Sequence, residues 1–178
     1  MWGRERWAPS PENFPSAPVC CYSGYMLILS VLLAFPPCYP ERHDPDRIVR
    51  LGVLAEAIGR VSESLDDAAG LVTILEAESA GCWSVATGSR HGGNGWGPWQ
   101  LEPGSRRVPP FFGEQLSDLT HAAGEALWLW RHSYRCGPAL SSRFESYAGL
   151  PCIAWRGAAK RVASYRWVYW RLANFSEE

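Results

Sequence analysis

Ser64-Leu-Asp-Asp-Ala-Ala-Gly-Leu-Val-Thr-Ile-Leu-Glu-Ala-Glu-Ser79, followed by Ala80-Gly81, is the stretch on which the reading of this chain turns. Ser64 to Asp67 has the form of a capping box with Asp in place of the usual Glu, so a helix starts there. Gly81 suits the residue just past the helix end. On a helical wheel Leu71, Ile74, Leu75 and Glu78 stand at i, i+3, i+4 and i+7, in one stripe. A carboxylate therefore points into the apolar face at the helix C-terminus, while Glu76 falls away from it. Burial disfavours the charged form of a carboxylate, and the negative end of the helix dipole acts the same way. Both effects are expected to raise the Glu78 pKa, which a general acid working near neutral pH requires.

Outward from this helix the pattern stays helical. Asp44-Pro45 reads as an N-cap with Pro at the first helical position, and Ile48, Leu51, Leu54, Ala55, Ile58 and Val61 recur at helical spacing. From Trp83 to Gln100 the period disappears. Gly88-Ser-Arg-His-Gly-Gly-Asn-Gly95 is turn chemistry, so a small β-hairpin or irregular excursion is expected there. Helical spacing returns over about 115–134, 141–148 and 155–173, with Val162, Tyr165, Tyr169 and Leu172 as the apolar stripe of the last helix. The expectation is one α+β, predominantly helical domain over residues 45–175.

Residues 1–44 read differently. They are proline-rich, hold three of the six cysteines, and contain the apolar run Tyr25-Met-Leu-Ile-Leu-Ser-Val-Leu-Leu-Ala-Phe35. Eleven apolar residues fall short of the ~20 needed to span a bilayer, but they suit the core of a secretory signal. The expectation is a leader or disordered segment outside the fold, export to the periplasm, cell wall or beyond, and no stable membrane span after processing. Cysteine usage agrees with an oxidising compartment. A Cys136–Cys152 bridge would close a loop of ~15 residues and add roughly 3 kcal/mol. Cys82 either pairs with Cys38 or stays a buried thiol.

Composition narrows the function. The net charge of −1 over 178 residues lacks the basic excess that nucleic-acid binding requires. His43, His91, His121 and His132 show no metal-ligand spacing with the cysteines, so neither metal nor cofactor is expected. The glycine-rich stretch 88–95 lacks the Lys-Ser/Thr of a phosphate cradle. Ten tryptophans call for an aromatic core or a groove that stacks flat rings; Trp83, Trp96 and Trp99 flank or lie in the excursion and suit the groove. Arg156, Lys160, Arg161, Arg166 and Arg171 on the last helix read as a solvated face, with attraction to an anionic wall as the functional alternative.

Glu78-Ser79, then Gly95-Trp-Gly-Pro-Trp-Gln100-Leu-Glu-Pro103, then Ser146-Tyr147-Ala-Gly149 follow one another in an order that resembles three motifs of the lysozyme-like lytic transglycosylases. In that family a Glu-Ser pair ends a helix, a Gly-x-Met-Gln-x-x-Pro stretch follows, and an Ala-Tyr-Asn-Ala-Gly stretch lies further on. Here Trp99 stands at the Met position, and the third motif lacks its Asn and is one residue short. The resemblance spans roughly residues 65–165. It implies a monomeric, lysozyme-like enzyme acting on peptidoglycan strands. Glu78 would protonate the oxygen between N-acetylmuramic acid and N-acetylglucosamine, then deprotonate the muramic C6 hydroxyl to give a 1,6-anhydro end. Gln100 would bind sugar, Tyr147 would orient Glu78, and Ser79, Trp96, Trp99 and His91 would complete the substrate site. Conventional glycoside hydrolases need two carboxyl groups, yet no Asp or Glu occurs between Glu78 and Glu102. The single-acid route is thus expected, with a lysozyme-type hydrolase and a non-catalytic peptidoglycan-binding module as alternatives.

Overall fold

A computed structural model describes residues 22–38, 42–86, 95, 97–101, 118–149, 152 and 156–174. The described part is predominantly helical: α1 (Tyr22–Ala34), α2 (Arg47–Val61), α3 (Leu65–Ser79), α4 (Trp83–Ala86), α5 (Leu119–Arg131), α6 (Leu140–Tyr147) and α7 (Arg156–Asn174). No strand occurs among the described residues. Most of the stretch expected to form the hairpin, with His91 and Trp96, lies outside them.

The centre of the molecule is α3. Every residue from Asp67 to Leu75 is buried, so this helix is enclosed on all sides, and the single apolar stripe expected from its spacing is too narrow a description. Leu71, Ile74 and Leu75 alone bury side chains worth roughly 2 kcal/mol each. Ala68, Ala69 and Gly70 are buried small residues that let neighbouring elements come close around the helix. A Cβ on Gly70 would stand 2.4 Å from the Trp130 indole nitrogen of α5, so glycine is required there.

Both helix ends follow from local chemistry. Asp67 N–H donates to the Ser64 hydroxyl, so the expected N-cap forms, while the Asp67 carboxylate accepts from Glu63 N–H, one residue before the partner of a capping box. At the other end Ala80 (φ 52°) and Gly81 (φ 66°) are both left-handed, which turns the chain out of the helix. The start of α2 departs from expectation. Its N-cap is Asp46, and the Asp44 carboxylate instead accepts from Asp46 N–H and pairs with Arg50. Ile48, placed in the apolar stripe by spacing, is 60% exposed because it falls in the first turn, beyond the packed face.

The larger correction concerns residues 22–38. The signal-like run forms α1, and Ile28, Val31 and Leu32 are buried in the same core as α2, α3 and α7. The Tyr25 hydroxyl would lie 2.9 Å from a Cβ on Gly52, and Phe35 packs edge-on against Trp167. The apolar composition that suits a leader equally suits a buried helix, because burial depends only on how much apolar surface leaves water. No helix among the described residues is long and apolar enough to cross a membrane.

Two disulfides staple the fold. Cys136–Cys152 joins the loop before α6 to the approach to α7, as its spacing predicts. Cys38–Cys82, the option left open for Cys82, ties the segment after α1 to the turn after α3.

Candidate functional site

Glu78 lies in the last turn of α3 and faces α7. Its Oε1 accepts a hydrogen bond from Arg161 Nη2 at 2.8 Å, and both side chains are largely shielded, 23% and 13% exposed. The carboxylate is thus half-buried at the negative end of its helix, as its spacing predicts, but it is held by a guanidinium rather than isolated among apolar groups. Taking two charges out of water is costly, and direct pairing is what makes it tolerable. Arg161 was legible in principle. It stands at i, i+4, i+7 and i+11 with Tyr165, Val168 and Leu172, so a charge interrupts the apolar stripe of α7 just as Glu78 interrupts that of α3.

Tyr147, in the last turn of α6, is buried beside this pair. Burial pushes its phenol well above its ordinary pKa; the negative charge of Glu78 adds to this and Arg161 opposes it. Tyr147 therefore keeps its proton and acts as a donor. Its hydroxyl donates to the Trp99 backbone carbonyl at 3.3 Å, so its hydrogen bond fixes the 97–101 turn, whereas the resemblance implies one to Glu78.

Trp99 corrects the sequence reading outright. It is fully buried, and its indole N–H donates to the Leu71 carbonyl inside α3 at 3.0 Å. A ring with no exposed surface cannot stack on a sugar. It anchors the turn to α3 instead, because a buried indole needs an acceptor for its N–H.

Gln100 follows with φ 50°, a left-handed conformation uncommon for a side-chain-bearing residue. Its amide nitrogen donates to the Gly97 carbonyl at 2.9 Å, closing the turn on itself. Gly95 packs against it so tightly that a Cβ there would meet Gln100 at 3.0 Å. In this structure Gln100 does the work of a turn amide and is half-exposed. Ser79 is also spoken for: its hydroxyl donates to the Leu75 carbonyl at 3.0 Å and accepts from Gly81 N–H, which finishes the helix.

Hydrogen bonds spanning 28 to 83 residues of chain thus bring together α3 with Glu78, the 97–101 turn, Tyr147 of α6 and Arg161 of α7. His91, Trp96 and Glu102 lie outside the described residues. Among the described residues no group of three or more His, Cys, Asp or Glu side chains gathers as a metal site would need. Comparison with family models, with curated proteins and with solved structures gives no match.

Proposed function

We propose that this protein cleaves peptidoglycan glycan strands as a lytic transglycosylase, with Glu78 as its acid and base. The observation that carries the reading is the meeting of the motif-bearing segments: Tyr147 is buried beside Glu78 and bonded to the backbone of the turn that bears Gln100. Glu78 donates a proton to the glycosidic oxygen as the bond to C1 of the muramic residue breaks. The muramic N-acetyl oxygen stabilises the positive charge developing at C1. Arg161, 2.8 Å away, compensates the negative charge left on Glu78. That carboxylate then takes the proton of the C6 hydroxyl, whose oxygen closes on C1. No water enters the products, and Glu78 ends protonated as it began.

Two disulfides support an oxidising site of action outside the cytosol. One contact favours a second reading, a non-catalytic peptidoglycan-binding module, because an acid permanently engaged by Arg161 has no proton to give. Glu78→Gln separates the two. The enzyme reading requires that purified protein digests peptidoglycan and the variant does not; equal digestion by both would end it. Mass spectrometry of the fragments distinguishes the chemistries, since anhydro ends are lighter than reducing ends by one water. Reducing ends alone would assign a lysozyme-type hydrolase instead.

A further inference from the structure

The end of the molecule where α1 finishes, α2 begins and α7 nears its C-terminus carries an exposed surface that the glycan site does not use. Three contacts place these elements together. Phe35 packs edge-on against Trp167 with ring centroids 5.4 Å apart, Arg47 donates to the Phe35 carbonyl at 2.9 Å, and the Arg171 guanidinium lies over the Trp167 ring. Around this junction large apolar side chains face water: Ile48 and Val49 on α2, and Trp167 and Trp170 on α7, the last 56% exposed.

Charge on the α7 part of this surface is one-sided. Lys160, Arg166 and Trp170 lie along the exposed face of α7, and no Asp or Glu occurs anywhere in that helix. Just before α2 the exposed Asp46 adds one negative charge near Ile48, while Asp44 is paired with Arg50. An apolar patch beside indoles and cations matches the interface of a bilayer. There, indole rings sit at headgroup level and basic side chains meet anionic lipid. A wall polymer or nucleic acid would satisfy the cations but would leave Ile48 and Val49 without a partner. The apolar surface decides between them.

We propose that this edge is a docking surface for an anionic lipid bilayer, with Trp167 and Trp170 seated at the interface and Lys160 and Arg166 against the headgroups. The domain binds on the surface and does not span. The proposal is independent of the glycan-cleaving reading, since none of these residues touches Glu78.

Co-sedimentation of the full chain with phosphatidylcholine vesicles, with and without phosphatidylglycerol, tests it. Binding is expected to the phosphatidylglycerol vesicles and to fall with added salt. Trp167→Ser/Trp170→Ser and, separately, Lys160→Glu/Arg166→Glu should each weaken it by about tenfold or more. All four positions are exposed on one helix, and thermal melts of each variant check that the fold survives. No binding to either vesicle, equal binding to both, or unchanged binding by both folded variants would overturn the proposal.

Discussion

The two ends of α3 are built from the same parts and do different things. At the N-terminal end Asp67 takes a two-pronged contact from Arg131 (3.0 and 2.7 Å), and Asp66 gathers Tyr165, Trp130 and Arg143. Arg143 is itself buried with its guanidinium 3.7 Å over the Trp130 ring. At the C-terminal end Glu78 meets Arg161 beside Tyr147. Each end therefore combines carboxylate, arginine and tyrosine, two acids and two arginines at the first and one of each at the second. The difference is the helix dipole. Acids at the N-terminus are favoured by the unpaired N–H groups there, whereas an acid at the C-terminus works against the carbonyls. The first end binds α5, α6 and α7 to the core and serves stability. The acid at the second end stands against the dipole, and it is there that the proposed function places the chemistry.

The sharpest way to break this contrast is Glu78→Gln. It should lower peptidoglycan digestion by about 100-fold or more, the usual worth of a positioned acid or base. Melting should fall as well, because the amide keeps an acceptor for Arg161 but leaves its shielded charge uncompensated. A variant that melts lower yet digests peptidoglycan at the full rate would invert the assignment of the two ends.

The converse test is Asp67→Ala. It leaves Arg131 without its buried partner and removes the cap acceptor, so unfolding free energy should fall by about 2 kcal/mol in denaturant titration. Burial pushes the Asp67 carboxyl up, but hydrogen bonds from Arg131, Ser64 and the Glu63 amide outweigh it and hold the group below its ordinary 3.8. A carboxyl lowered on folding contributes stability that is complete above its unfolded value and is lost as pH falls through the folded one. Acid titration of the melting temperature should therefore show an Asp67-dependent loss below about pH 4, absent in the variant.

Between the two ends, Gly70→Ala pushes a methyl into the Trp130 indole and should cost about 1–3 kcal/mol, read in the same denaturant experiment. The smallest effect is expected from Tyr147→Phe. It removes one hydrogen bond to the 97–101 turn, worth about 1 kcal/mol. If Tyr147 acts on the turn rather than on Glu78, peptidoglycan digestion should drop less than for Glu78→Gln, and added stabiliser should restore it.

Much of the helical frame was legible because its signals are local. Ser64 and Asp67 announce the start of α3, and the stripe Val162, Tyr165, Tyr169 and Leu172 does pack inward on α7. The Cys136–Cys152 bridge follows from spacing. One tryptophan role was not legible. Trp99 lies in a glycine-rich turn that reads as a cleft wall, yet its ring is fully inside. The reason is an acceptor 28 residues back, the Leu71 carbonyl, which no local pattern reveals.

The apolar run 25–35 makes the same point on a larger scale. Its hydropathy determines that it leaves water; it does not determine whether it enters a translocation apparatus, a membrane or the protein's own core. What the sequence alone determined is where helices start and stop, which stripes are apolar, and that Glu78 ends a helix in such a stripe. Tertiary structure decided that α1 joins the core, that Trp99 is an anchor, and that Arg161 answers Glu78 across 83 residues. The division is physical. Caps and periodicity arise from groups within about one helical turn, whereas a buried charge or indole is resolved by whichever partner the packing brings within about 3 Å.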